Sequence, residues 1–158
     1  MSSSGWTFAR TGRLITCVIA VMSLFPGCAD SEFSAQIVPY NHTDQYIDAV
    51  YVNGRWGGNS FAHSGGGSFV CCVKLPARPP KGFTVTVGWE DKDGKRHERN
   101  VLVPEFSEPG NLMVHFLRQD RIKVFVSNVY LRHPDYPLKG EDANLREGIP
   151  NPEPNYGR

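Results

Sequence analysis

The chain has 158 residues, and its 17 Lys and Arg against 16 Asp and Glu give a formal net charge of +1. This balance excludes a broad basic surface for nucleic acid and an acidic excess typical of disordered chains. The 16 glycines and 12 prolines, together with many Val and aromatic residues, favour strands and turns over helices.

The N-terminus has the pattern of a targeting segment. Arg10 and Arg13 form a positive region, and residues 14–25 (LITCVIAVMSLF) form an apolar run that is too short to cross a bilayer as a helix. Gly27 directly precedes Cys28, an arrangement that resembles the lipobox of bacterial lipoproteins, in which the cysteine sulfur carries the lipid. The sequence therefore predicts a signal peptide over residues 1–27 and lipidation of Cys28. The alternative is an ordinary secretory signal with an incidental cysteine.

The residues after Cys28 bear on the membrane in which the protein resides. Residues 28–39 are predicted to be a lipidated tether, polar at its start. Ala29, rather than Asp, follows Cys28. The sorting rules that the lipoprotein resemblance implies then favour the outer membrane, with the protein facing the periplasm.

Residues 40–131 are predicted to form one β-rich domain. Alternating or β-branched segments indicate strands, and Asp-Gly and Asn-Gly pairs indicate turns between them. The predicted strands are residues 46–53, 68–75, 83–90, 95–103, 112–117 and 122–128. We expect a mainly β fold, a single small antiparallel sandwich or partial barrel, with or without a short helix. The prolines of residues 132–158 predict an extended C-terminal tail that runs over the surface or stays mobile.

A Gly-rich loop, residues 54–67, carries the candidate partner-binding residues Arg55, Trp56, Phe61 and His63. A loop with so many glycines buries little apolar surface by itself, so two arrangements are possible for its large side chains. The large side chains either fold back onto the end of the sandwich or are offered to a protein partner, for which Trp and Arg are preferred anchors.

No catalytic constellation, cofactor site or metal site is predicted. His63 and His115 have no second histidine or carboxylate at ligand spacing, so His115 is interpreted as a structural histidine. Residues 91–94 (DKDG) resemble the start of a calcium loop, but Leu102 stands where the loop requires Glu.

Cys71 and Cys72 are adjacent in a predicted strand, where successive side chains point to opposite faces. We expect one to be buried and one to lie near the surface. They form either a vicinal disulfide or a reduced pair, and they serve either a redox role or simply as small apolar residues of a core strand.

Several blocks of the chain resemble a known family. They are residues 40–54 (YNHTDQYIDAVYVNG), residues 65–90 with the vicinal cysteines followed by Leu-Pro-Ala-Arg, residues 113–117 (MVHFL) and residues 124–128 (VFVSN). These blocks are similar to the bacterial lipoprotein family catalogued as domain-of-unknown-function family 3304. The resemblance implies an envelope protein without known catalysis, whose members include immunity proteins of type VI secretion lipase effectors.

The expected function is therefore that of a binding protein. We expect an immunity lipoprotein, held at the membrane by its lipid, that binds and neutralises a phospholipase effector encoded nearby. One alternative is a structural outer-membrane lipoprotein that supports an envelope assembly. The other is a redox or metal protein that uses Cys71 and Cys72.

Overall fold

The computed structural model describes residues 31–67 and 70–149 of the chain. The predicted signal peptide, the lipidation site Cys28 and the last part of the predicted tail, residues 150–158, lie outside the described residues. In the described part there are nine strands and one short 3-10 helix. They are β1 Glu32–Asn41, β2 Ile47–Val52, β3 Arg55–Trp56, β4 Ser64–Gly65, β5 Val70–Pro76, β6 Thr84–Asp91, β7 Arg96–Leu102, β8 Asn111–Leu117, β9 Arg121–Ser127 and the 3-10 helix Gly140–Ala143.

The strands form two sheets that pack face to face, which confirms the predicted sandwich. The first sheet has the order β4-β1-β8-β9, with β5 pairing on the same side of β1 as β4, and the second has the order β3-β2-β6-β7. All pairs are antiparallel except β1 with β8. The core between the sheets is mostly valine, because each strand turns alternate side chains inward.

The six predicted strands correspond to β2, β5, β6, β7, β8 and β9 to within two residues at each end, and the predicted Asp-Gly and Asn-Gly turns are also present. Residues 91–94 close the β6–β7 hairpin, with Asp91 accepting hydrogen bonds from the backbone N–H groups of Asp93 and Lys95. Asn53 and Gly54 both have positive φ angles, 48° and 76°, as a two-residue hairpin turn requires. Val85 and Val87 of β6 are fully buried, which confirms the predicted alternation.

The predicted tether is wrong from Glu32 onward. Residues 32–39 belong to β1, the strand of the first sheet that pairs with three others. Ala35 and Ile37 are fully buried between the sheets, and Val38 is fully buried on the opposite face. The domain therefore begins about eight residues earlier than predicted, within a segment whose polar start hides its strand character.

Part of the predicted tail covers the outer face of the first sheet. We call residues 129–145 the C-terminal strap. Its buried side chains pack on the outward-facing residues of β1 and β8, and this second core contains Val38, Tyr40, Met113, Leu117, Leu131, Tyr136 and Leu138. Asp142 on the strap accepts hydrogen bonds of 2.7 and 2.9 Å from Arg121 of β9. Of the two predicted alternatives, the described part of the tail runs over the surface, and it adds buried residues that the sequence did not predict.

No helix within residues 31–67 and 70–149 is long and apolar enough to cross a membrane.

Candidate functional site

The predicted Gly-rich loop is held along the edge of β2 rather than lying free. Gly57 donates its backbone N–H to Val50 over 2.7 Å, and Val50 donates back to Gly58 over 2.7 Å. Ile47 and Ser60 exchange two further backbone hydrogen bonds, of 3.0 and 2.9 Å. Residues 55–61 therefore follow β2 as a hydrogen-bonded edge of the second sheet, which bends at Gly58, where φ is 92°. We call this segment the aromatic edge.

Gly57 fixes how closely the aromatic edge approaches the first sheet. A Cβ atom built on Gly57 would lie 2.5 Å from Cγ2 of Ile37, which is fully buried in β1. No larger residue fits there without moving the edge away from the core. The backbone of the aromatic edge thus packs directly against the core, whereas its large side chains do not.

Exposure decides between the two arrangements expected for this loop. Trp56 is 54% exposed and Phe61 is 66% exposed, and Arg55 is exposed as well. These side chains do not fold back onto the end of the sandwich. Two large aromatic side chains therefore stand in solvent on a backbone that is fixed by hydrogen bonds, which is the arrangement expected of interface anchors.

Neighbouring side chains extend the aromatic edge on both sides. The ring of Tyr46 packs against that of Phe61, with the centroids 5.2 Å apart. Tyr51 is the cross-strand partner of Trp56, so both lie on the outer face of the second sheet. The guanidinium of Arg96 lies 4.6 Å from the centroid of the Tyr51 ring. The surface thus combines the three residue types most enriched at binding hot spots, Trp, Tyr and Arg.

A cavity of about 320 Å³ opens beside Phe61. Its other lining residues are small, and they are Pro39, Asn59, Ser60, Ser64 and the glycines 65–67. An exposed aromatic ring next to an indentation can contact a partner both by its face and by receiving a side chain beside it.

His63 does not join the aromatic edge, although the sequence grouped it there. Its Nε2 lies 2.7 Å from Oδ1 of Asp44, and its Nδ1 lies 3.0 Å from the carbonyl oxygen of Leu145. Its side chain is 22% exposed. His63 therefore connects the loop to the C-terminal strap, a tertiary contact that the spacing of residues along the chain could not reveal.

His115 is a buried structural histidine, as expected, but it has a second histidine beside it. Its Nδ1 lies 2.9 Å from Nε2 of His42, and its Nε2 lies 2.6 Å from the hydroxyl of Tyr136. His42 Nδ1 faces the carbonyl oxygen of Asn144 at 3.0 Å and must donate to it, since a carbonyl only accepts. Neutral His42 then accepts from His115 Nδ1–H, and neutral His115 accepts from the Tyr136 hydroxyl. Residue spacing could not reveal His42 and Tyr136 as partners of His115, because they lie 73 and 21 residues from it in the chain.

Burial keeps this histidine pair neutral. Desolvation lowers the pKa of His115 well below 6.5, and the neighbouring His42 lowers it further. Burial also lowers the pKa of His42, against the opposing effect of its hydrogen bond to Asn144. Desolvation likewise raises the pKa of Tyr136, so its hydroxyl keeps the proton that it donates.

The histidine pair predicts a loss of stability at acid pH. Above pH 6.5 both histidines are neutral whether the chain is folded or unfolded, and they make no pH-dependent contribution. Below it the unfolded chain binds protons that the folded chain does not, so each histidine removes up to about 1.4 kcal/mol of unfolding free energy per pH unit. Urea unfolding at about pH 7.5, 6.5 and 5.5 measures this slope.

The control is His115→Gln, which removes one of the two groups. This variant should be less stable at every pH, because Gln fills the site poorly, but its slope below pH 6.5 should fall by about half or more, since burial lowers the pKa of His115 further than that of His42. An undiminished slope in His115→Gln would assign the acid sensitivity to other groups.

Cys71 and Cys72 lie in β5, and the structure joins their sulfur atoms in a vicinal disulfide. Cys71 is exposed and Cys72 is half-buried, so the expectation of a buried cysteine in a core strand is wrong. The inward positions of this edge strand are instead taken by Val73 and Leu75. Within residues 31–67 and 70–149, no group of three or more His, Cys, Asp or Glu side chains is placed to hold a metal ion.

A family model described as "Protein of unknown function (DUF3304)" matches residues 40–124, over half of the chain. This range contains the aromatic edge, the vicinal disulfide and His115, and it ends before the C-terminal strap. No curated protein and no solved structure matches the chain.

Proposed function

The chain belongs to the DUF3304 family of proteins of unknown function, and from that premise we propose that it is an immunity lipoprotein that neutralises a type VI secretion phospholipase effector in the periplasm. The observation that carries the proposal is the aromatic edge. Trp56 and Phe61 are 54% and 66% exposed on a backbone that is hydrogen-bonded along β2. An inhibitor needs a surface of this kind, with large anchors on a rigid support.

Rigidity is what makes the aromatic edge suitable for tight binding. Association costs free energy when loops and side chains become ordered at the interface, and a preordered backbone avoids much of that cost. The aromatic edge is already fixed in the free protein. Four backbone hydrogen bonds join it to Ile47 and Val50, and Gly57 packs closely against Ile37. Burial of Trp56 and Phe61 in a partner would then contribute mainly to affinity.

We place the bound lipase across the aromatic edge and the part of the outer face of the second sheet nearest to it, around Tyr51 and Arg96. Trp56 and Tyr51 lie side by side on that face, next to Arg96. Inhibition would follow from steric occlusion of the lipase active site or of its lid. A lipid anchor would hold the inhibitor at the membrane surface where a phospholipase acts, and so raise its local concentration there.

The anchor itself is predicted at Cys28. Metabolic labelling with a palmitate analogue should mark the wild-type protein and leave Cys28→Ser unlabelled, because the thiol is the only group at that position that can take the diacylglyceryl group. The conservative replacement keeps the size of the side chain and the apolar run before it. Equal labelling of the two proteins would contradict lipidation at Cys28, and absence of label from both would indicate an ordinary secretory signal.

Binding is tested by co-purification with the lipase encoded beside the gene. The tagged protein, extracted in mild detergent, should retain this lipase at a ratio near one to one. A lipase of another type VI cluster is the matched control and should not be retained. Retention of an envelope component in place of the lipase would favour the structural alternative, an outer-membrane lipoprotein that supports an assembly, and would contradict the proposal.

A further inference from the structure

We propose that the Cys71–Cys72 disulfide is a thiol–disulfide exchange site that dithiols reduce in the folded protein, and that its oxidation state sets the stability of the aromatic edge. As a regulation of partner binding, this inference rests on the proposed function. Its chemistry and its effect on the edge do not.

The disulfide is accessible at the margin of the sandwich. Cys71 is exposed, and among the described residues β5 pairs with β1 alone. Exchange begins with attack of a thiolate on a disulfide sulfur, and an exposed cysteine on such a strand is accessible to a small dithiol. Buried structural disulfides lack this access.

The two cysteines form an irregularity in the pairing of β5 with β1. Ala35 pairs with Val73 and Ile37 pairs with Val70, so the two cysteines stand opposite the single residue Gln36. This two-against-one count is that of a β-bulge, which leaves the extra residue outside the regular ladder. The disulfide closes the bulge with a covalent bond, and its reduction leaves the bulge held by backbone pairing alone.

The bulge lies directly beneath the aromatic edge. Val70, the residue before Cys71, pairs with Ile37, on which Gly57 is seated. A Cβ atom built on Gly58 would lie 3.3 Å from Cγ2 of Val70. Both residues that support the edge from below, Ile37 and Val70, thus border the bulge. A more mobile bulge would weaken the packing of Gly57 and Gly58 on Ile37 and Val70. The segment that carries Trp56 would then become more mobile as well.

The reaction requires a dithiol as co-reactant. One of its thiolates attacks Sγ of Cys71, the Sγ–Sγ bond breaks, and the electron pair passes to Sγ of Cys72, which takes up a proton. The second thiol of the reagent then attacks the mixed disulfide and releases Cys71 as a thiol. The dithiol is oxidised to its disulfide by two electrons, and the cysteine pair is reduced by two.

The first test measures reduction in the folded protein. The full chain is treated with dithiothreitol without denaturant, alkylated with N-ethylmaleimide, and analysed by mass spectrometry of the peptide that carries Cys71 and Cys72. We expect two maleimide adducts on this peptide while the circular dichroism spectrum stays that of the folded protein. Labelling that appears only in denaturant would overturn the exchange site.

The second test measures the aromatic edge by amide hydrogen exchange, with no partner present. Reduction should speed exchange of the Gly57 and Ser60 amides about tenfold, while the β8–β9 amides keep their rates. The double variant Cys71→Ser, Cys72→Ser should exchange as the reduced wild type does, with or without dithiothreitol. Unchanged exchange of Gly57 and Ser60 on reduction would overturn the coupling.

A third measurement compares lipase binding by the oxidised protein, the reduced protein and the serine double variant. If the lipase binds, the reduced protein and the serine double variant should both bind it several-fold more weakly than the oxidised protein, by the same factor. If no lipase binds in either state, the proposed function fails, and the alkylation and hydrogen exchange results still decide the redox inference.

Discussion

Replacement of Tyr136 by alanine should lower the free energy of unfolding by about 3–5 kcal/mol, the usual range for deletion of a buried aromatic side chain. Tyr136 is 1% exposed and anchors the C-terminal strap to the first sheet. Its ring packs near those of Tyr40 and Phe125, with centroids 6.4 and 6.3 Å away, and its hydroxyl donates to His115 over 2.6 Å. Alanine removes the packing and the hydrogen bond together.

Tyr136→Phe separates these two contributions. Phenylalanine keeps the ring but leaves Nε2 of His115 without its donor in a buried site, which typically costs about 1–3 kcal/mol. Urea unfolding near neutral pH, where both buried histidines are neutral, measures the two variants against the wild type. If Tyr136→Ala lost less than about 1 kcal/mol, the strap would not be part of the folded core.

Replacement of Trp56 and Phe61 by alanine should have its effect on binding and not on stability. Both side chains are more than half exposed, so their removal should change the melting temperature little. Truncation of a binding hot spot costs about 2 kcal/mol or more, which corresponds to roughly thirtyfold in the dissociation constant. We expect Trp56→Ala alone to weaken lipase binding by tens-fold and the double variant to weaken it further.

Leu102→Ala is the matched control for this experiment. Leu102 is a large apolar residue that is 58% exposed, but it lies on β7, the strand at the other edge of the second sheet from β3, where it pairs with Thr84 at the end of β7 remote from Arg96. Its replacement should leave both the melting temperature and the affinity unchanged. A loss of affinity in Leu102→Ala equal to that in Trp56→Ala would move the interface away from the aromatic edge. A lower melting temperature in Trp56→Ala would mean that Trp56 serves the core.

The sequence predicted the parts of the fold that depend on local pattern. Alternation in β6 and the turn residues Asn53 and Gly54 act within a few positions, so the strand and the hairpin could be placed without tertiary information. β1 was missed because Glu32 and Ser34 near its start are polar and exposed, and it becomes central only through pairing with β8, whose residues are about 75 positions away.

The candidate site likewise has features that local sequence predicts and features that depend on tertiary packing. Arg55, Trp56 and Phe61 were identified as candidates because their residue types stand out in a Gly-rich segment. The position of that segment depends on the close packing of Gly57 against Ile37, which a larger residue would prevent. His63 was grouped with them although its partners, Asp44 and Leu145, lie 19 and 82 residues away. Pairs of this kind carry no signal in residue spacing, and they follow only from the packed structure.

The central claim is that the protein inhibits a phospholipase through the aromatic edge, and titration of lipase activity tests it most directly. The lipase encoded beside the gene is assayed on phospholipid vesicles with increasing amounts of the wild-type protein, of the Trp56→Ala, Phe61→Ala double variant, or of Leu102→Ala. We predict that the wild type and Leu102→Ala abolish hydrolysis near one equivalent, whereas the folded double variant needs a large excess. Full hydrolysis in the presence of excess wild-type protein, or equal inhibition by the double variant, would contradict the account.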